Sequence, residues 1–344
     1  MKEKKDVTIY DIASKLSISA ATVSRALQNP AYVNEKTRQK VLATARKLGY
    51  QSNTFARNLR MKSTNTIGFL VPKLNSNFIN SVLAGVEKVT TQAGYDLIIA
   101  HSSESYQREV ANAANLFHKR VDGMIVSLAF DTVNLDHFNV FNEKGIPLIF
   151  FDRVERKSEN TSVVIDNYKA GYEATEHLIK QGCKRIMIVT ANLKRNVYLD
   201  RFKGYKDALF QYGIVYDEKR LIVNDLSQKA GVETAHKILA MKQKPDGLFI
   251  TNDFSAAVCM QVLKENGIQV PKDIAIVGFN NDAIGQLVEP NLTTIDYPGE
   301  YMGKVAAQNL IDQLKGKDTL QKTNTIVINS NLIVRGSSLR KPLR

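Results

Sequence analysis

The chain has 344 residues, 44% of them hydrophobic and 24% charged, and a formal net charge of +13. That length exceeds one small core and predicts two or three compact units. It also holds no apolar run near the ~18 residues of a membrane helix. The opening MKEKKDVTIYD lacks the apolar stretch of a secretory signal, so a cytoplasmic protein is expected. Cys183 and Cys259 each sit among apolar residues, which predicts two buried thiols rather than a disulfide or a metal site. The charge is uneven. Residues 1–62 carry 13 Lys/Arg against four Asp/Glu, a net of +9, which leaves +4 for the other 282. A basic head on a nearly balanced body predicts a polyanion partner for the head.

The head reads as a series of short helices. Thr8 and Asp11 form a capping box, and Ile9, Ile12, Ala13 and Leu16 give one apolar face. Ser17-Ile18 makes a turn. Ser19 then caps a second helix whose Val23, Ala26 and Leu27 face inward. Pro30 breaks the chain. Asn34 caps a third helix with an inner stripe of Thr37, Val41, Ala45 and Leu48, and Gly49 stops it. Two short helices joined by a tight turn and buttressed by a third make a helix-turn-helix unit. In such a unit the N-terminal turn of the second helix enters the major groove. Its outer face should therefore be small or hydrogen-bonding, and Ala20, Ala21, Thr22, Ser24 and Arg25 meet that requirement. Alanine methyls can pack on thymine, and Arg25 can fork onto guanine O6 and N7.

The segment VTIYDIASKLSISAATVSRALQNPAYVNEKTRQKVLATARKLGY resembles the DNA-binding head of the lactose-repressor/galactose-repressor family of bacterial transcription regulators. The matching elements are T-I-x-D-I-A, S-x-x-T-V-S-R, V-x-x-x-T-R and L-G-Y. The resemblance implies that Thr22, Ser24, Gln28, Asn34 and Thr37 contact or orient on phosphates, and that Ala20, Ala21 and Arg25 read bases. Thr8 and Tyr10 complete that surface. The family commonly has Asn where this chain has Gln28. Residues 51–64 then match its hinge through A-R-x-L. The resemblance implies that Asn53 caps a hinge helix, Ala56 allows close approach, and Leu59 enters the minor groove between Arg57 and Arg60. A proline usually stands where this chain has Ser52.

From Thr66 onward, apolar β-rich runs alternate with helix-sized segments. TIGFLV, YDLIIA, DGMIVS and PLIFFD form one series; SVVID opens a second with RIMIVT, GLFIT and IAIVGF. Near-continuous apolar runs suit parallel strands covered on both faces. LTTID and TIVINSNLIV are expected as crossover or edge strands. The expected architecture is an all-α helix-turn-helix head plus an α/β two-lobed body with two doubly wound parallel sheets. The body resembles the periplasmic-binding-protein-like fold of the same family. Its domains are expected at 1–50 (head), 51–64 (hinge) and 65–344 (body). The N-lobe is expected near 65–162 and 294–325, and the C-lobe near 163–293 and 326–340.

In such folds a ligand lies outside the carboxyl ends of the strands, between the halves. The loops there carry Phe78, Arg153, Asp166, Arg195, Arg201, Asn252, Asp253 and Asn280 as candidate effector contacts. The resemblance implies that Arg201, Asn252 and position 280 meet sugar hydroxyls, although the family usually has Asp at 280. Asp253 reads first as a cap of the following helix and only second as a ligand contact; Phe78 reads also as core, and Arg153 as the partner of an acid across the cleft. Three arginines with a carboxylate missing at 280 suggest an anionic effector, a uronic acid derivative or sugar phosphate, beside the neutral-sugar alternative.

The sequence holds none of the phosphate-loop, dinucleotide, zinc-protease or serine-hydrolase motifs, and its five histidines lack ligand spacing. No enzyme, cofactor or metal is expected. The expected partners are double-stranded palindromic operator DNA, a small-molecule effector and a second copy of the chain, in a nucleoid-associated cytoplasmic homodimer. The C-terminus lacks a leucine heptad, which predicts a dimer without a tetramerising tail. The alternative is a sugar-binding transport or sensory protein with the same body fold and no operator binding.

Overall fold

The computed structural model describes residues 7–28, 32–50, 63–156, 158–317 and 325–340. The chain divides into two compact units, Met1–Thr64 and Asn65–Arg344.

The first unit contains α1 (Ile9–Leu16), α2 (Ala20–Gln28) and α3 (Glu35–Leu48). Each helix is short, so packing rather than propensity holds it. Ile12, Val23 and Val41 are wholly buried, and Ala13, Ala26 and Ala45 close the core around them. The boundaries follow local chemistry. The Thr8 N–H and hydroxyl both donate to Asp11 Oδ2 at 2.7 Å. Ser17 ends α1 in the left-handed region, and Gly49 ends α3 there at φ 69°.

The second unit runs β1 (Thr66–Val71), α4 (Asn77–Ala93), β2 (Asp96–His101), α5 (Tyr106–His118), β3 (Gly123–Val126), α6 (Asn139–Glu143), β4 (Leu148–Phe151) and β5 (Thr161–Ile165). It continues with α7 (Asn167–Lys180), β6 (Ile186–Thr190), α8 (Asn196–Gln211), β7 (Leu221–Val223), α9 (Gln228–Ala240), β8 (Gly247–Ile250) and α10 (Asp253–Glu265). The last elements are β9 (Ala275–Asn280), α11 (Ile284–Leu287), β10 (Thr293–Asp296), α12 (Gly299–Leu314), β11 (Thr325–Ile328) and β12 (Leu332–Ile333). One sheet has the order β11-β5-β4-β3-β1-β2 and the other β12-β10-β9-β8-β6-β7. All pairs are parallel except β12 with β10.

The two doubly wound halves follow from the apolar strand runs: β1, β3, β4, β6, β8 and β9 are buried almost throughout. Three assignments differ from the sequence reading. SVVID, expected to open the second series, pairs as β5 with β4 and β11 in the first sheet. LTTID, placed in the N-lobe by the expected boundary near 294, pairs as β10 in the second sheet. TIVI, assigned to the C-lobe, is the edge strand β11 of the first. Burial periodicity identifies a strand but not its sheet, because pairing is a long-range choice. The chain thus crosses between lobes after Ile165, after Asp296 and between Ile328 and Leu332. The short edge strand β7 was not anticipated.

One close approach positions the site. A Cβ at Gly171 of α7 would lie 2.2 Å from the Arg201 carbonyl oxygen, and one at Gly204 of α8 only 2.1 Å from the Tyr168 carbonyl oxygen. Glycine lets these two helix backbones touch, which draws Arg201 against the start of α7.

Candidate functional site: an interlobe cleft and a helix-turn-helix surface

A cavity of about 840 Å³ lies at the carboxyl ends of the strands, bounded by both lobes of the body. Phe78 and Tyr297 form an aromatic wall, with ring centroids 4.2 Å apart. Phe78 contributes from the first turn of α4, and Tyr297 from the second interlobe crossing. Arg201, 3% exposed, donates from Nε to Asn167 Oδ1 at 2.8 Å and lies 3.5 Å over the Phe279 ring. Burial lowers its pKa, with Tyr297, Tyr198 and Asp152 opposing. Arg153 donates from Nη1 to both Glu104 carboxylate oxygens at 2.8 and 3.0 Å and from Nη2 to the Tyr198 hydroxyl at 3.1 Å. Its guanidinium covers the Phe130 ring at 4.1 Å. Burial works against its charge, but Tyr198, Glu104 and Asp152 more than restore it, so its pKa rises. Asp152 accepts from the Tyr297 hydroxyl at 2.7 Å. Burial pushes its carboxyl up, with Arg153 and Tyr297 pulling the other way.

Of the eight residues expected here, Phe78, Arg153, Arg201, Asn252 and Asn280 line the cavity. Asn252 also caps α10, its Oδ1 accepting the Ser255 N–H at 2.9 Å. Asn280 stands at φ 120°, a left-handed conformation that costs energy away from glycine. The other three do not line it. Asp166 is exposed and caps α7 by accepting the Lys169 N–H at 2.9 Å. Arg195 turns away, donating from Nη2 to the Thr132 carbonyl at 2.8 Å. Asp253 is wholly buried beneath the cavity. It accepts the Thr294 hydroxyl at 2.7 Å and the Asp282 N–H at 2.8 Å, and so ties down the loop after β9. Burial pushes its carboxyl up to about 7, against those hydrogen bonds. Residues that the sequence reading missed are Glu104, Phe130, Asp152, Tyr198 and Tyr297. Glu104, Asp152 and Tyr297 immediately follow strands or lie within three residues of one, so the strand-end rule applied to every strand would have found them. Phe130 and Tyr198 carry no such signal.

In the head, Ala21 and Arg25 are exposed, Ser24 is half-buried, and Tyr10 is 70% exposed. Ala20, expected on the outer face, is half-buried against the core. The Thr22 Oγ1 shares a hydrogen bond with Ser19 Oγ at 2.9 Å, which ties that hydroxyl to the cap of α2. Asn34 accepts the Lys36 N–H at 2.9 Å as the cap of α3, and Thr37 is half-buried in its first turn. The Gln28 side chain and the expected hinge contacts Asn53, Ala56, Arg57, Leu59 and Arg60 lie outside the described residues. Among the described residues no helix is long and apolar enough to cross a membrane.

Residues 8–53 match the family described as bacterial regulatory proteins, lacI family, and residues 175–338 match the periplasmic binding protein-like domain. The chain is 31% identical over 319 residues to catabolite control protein A of Priestia megaterium, covering 92% of this chain and 95% of that one. A structure of the transcriptional regulator CelR with cellobiose is 26% identical, with a TM-score of 0.72 and coverage of 96% of this chain and 100% of the other. The lac repressor dimer bound to operator, at 24% identity, has a TM-score of 0.85 over 97% of this chain and all of that one, a likeness of fold. Head, body and full-length relatives agree: the chain belongs to the lacI family of bacterial regulatory proteins, DNA-binding transcription regulators rather than enzymes.

Proposed function

We propose that this regulator is a carbohydrate-responsive repressor that binds palindromic operator DNA as a homodimer. The observation that carries the effector half is the cleft. An aromatic wall of Phe78 and Tyr297 stands beside Arg201 and Asn252, the apolar face and hydrogen-bonding rim that a sugar ring presents in complement. The cellobiose complex of the CelR relative supports the same ligand class. The DNA half rests on the exposed Ala21 and Arg25 of α2, with Tyr10, Ser24 and Thr37 flanking, on a unit carrying most of the excess positive charge. Gln28 and Asn34 join the phosphate contacts in this reading, and Asn53, Ala56, Arg57, Leu59 and Arg60 supply the hinge. Effector closure of the two lobes alters the spacing of paired hinges in the dimer, and with it the fit of two heads to one palindromic site.

The test is a DNA-binding titration repeated across a panel of sugars, sugar acids and sugar phosphates, at stated salt. A sequence-selective, salt-dependent complex whose affinity changes with one sugar is expected. Selective binding that no sugar alters removes the carbohydrate half; absence of selective binding removes the operator half. Leu59→Ala should weaken operator binding and leave effector affinity unchanged.

A further inference from the structure

The cleft contains a charge arrangement that bears on which carbohydrates it admits. Lys73, Arg153 and Arg201 line it, but so do Glu104, Asp152, Asp225 and Asp282. The three arginines that pointed to an anionic effector are not a free cationic set. Arg195 lies outside the lining and is held by the Thr132 carbonyl. Arg153 is held by both oxygens of Glu104. Arg201 feels the Asp152 carboxyl nearby.

Glu104 does more than balance one charge. Its Oε2 also accepts the Phe130 N–H at 3.0 Å, and Lys73 Nζ stands 3.8 Å from its Oε1. Its side chain is 14% exposed, and its backbone sits at φ 62° just after Ser103 at φ 52°. Two successive left-handed, non-glycine residues cost energy that the surrounding contacts must offset. The result is a carboxylate fixed at the cavity wall, across the end of the Arg153 guanidinium, which would otherwise be open to fork onto an incoming anion.

We propose that Glu104 is a specificity-determining residue: it occupies Arg153 and excludes uronates and sugar phosphates, so the effector is a neutral carbohydrate. An entering carboxylate or phosphate must displace Glu104 from Arg153 or settle beside it, and like charges this close repel. A sugar hydroxyl meets no such penalty and can donate to the carboxylate's remaining lone pairs. This inference rests on the carbohydrate reading of the cleft.

The experiment compares the full-length parent with Glu104→Gln by calorimetric titration of glucose, cellobiose, glucuronate and inorganic phosphate. Glutamine keeps the shape and an acceptor for the Phe130 N–H but releases the Arg153 charge. Glu104→Gln should bind glucuronate or phosphate about tenfold or more tighter than the parent, the order of one charge-assisted bidentate pair. A wholly structural role for Glu104 would weaken all ligands and could not produce that gain. Adding Arg153→Gln should abolish it, which separates the cleft from anion binding by the basic head. No gain in Glu104→Gln overturns the proposal. The parent alone gives a second reading if the variant fails to fold: glucuronate bound as tightly as its neutral counterpart overturns the proposal while leaving the carbohydrate reading intact. A parent that binds neither sugar nor sugar acid counts against the carbohydrate reading, and the phosphate comparison then still decides the role of Glu104.

Discussion

The head and the cleft present their candidate side chains in opposite ways. In the head, Tyr10, Ala21 and Arg25 are exposed residues on short helices, and the core behind them comes from the same forty residues. In the cleft, Arg201 is almost wholly buried, and its partners are residue 167 at the start of α7, residue 251 just after β8 and residue 279 on β9. A surface read by a large partner needs only a local scaffold. A site that encloses a small ligand needs charges held in place away from water, and that takes contacts from distant parts of the chain.

That contrast can be broken or sharpened by experiment. The largest effect is expected from pH on the body. The Asp253 carboxyl is raised in the folded state to about 7 from an ordinary 3.8. The folded state therefore binds the proton more tightly, and the stabilisation it contributes is full below pH ~4 and is lost as pH rises through ~7. Linkage makes this up to about 4 kcal/mol. Asp253→Asn should flatten that part of the stability–pH profile of the body, read by thermal denaturation, while the transition of the head keeps its profile. An unchanged slope would show that Asp253 ionises as it does in the unfolded chain.

Next, Gly204→Ala forces a methyl against the Tyr168 carbonyl. It should destabilise the body by about 3 kcal/mol, the upper end for overpacking. Selective DNA binding should survive if the head is as independent as its core suggests. Arg201→Ala removes a cleft donor and strands Asn167 Oδ1. Effector affinity should fall by about 2–3 kcal/mol by calorimetry, with effector-free operator binding unchanged. Arg25→Ala is the mirror experiment: about 1–3 kcal/mol lost on the cognate site, relaxed preference at one base position, and effector affinity untouched. The smallest effect belongs to Asn34→Ala, which deletes the α3 cap. It should cost about 1 kcal/mol of head stability, seen as a lower first transition in a denaturant titration. A loss of body stability in that variant would contradict the separation of the two units.

The head was legible nearly residue by residue, because capping and 3.6-residue periodicity are local. Thr8 with Asp11, Ser17, Asn34 and Gly49 bound the helices where the sequence places them. Ala20, in the first turn of its helix, is half-buried rather than fully on the outer face, because that turn lies close to the preceding chain. In the body, strands were legible and their sheet was not. SVVID and LTTID look alike as buried runs, and only pairing with β4 and β9 separates them. In the cleft, Arg201 and Phe78 lie on the cavity wall as their place in the chain led one to expect, whereas Glu104, three residues after β2, was not singled out. Its partner in the fold is Arg153, 49 residues away, whose guanidinium it binds.

The sequence by itself determined the basic helical head, the alternation that builds two α/β lobes, and the strand-end loops from which a ligand site would be made. These follow from cap chemistry, periodicity and charge, all of which act over a few residues. The tertiary structure alone decided which arginines are available. Arg195 is turned to a backbone carbonyl, Arg153 is closed by Glu104, and Arg201 is aimed across Phe279. The character of a buried charge is set by what stands within a few ångströms of it, and in a two-lobed fold those neighbours are chosen by packing rather than by proximity along the chain.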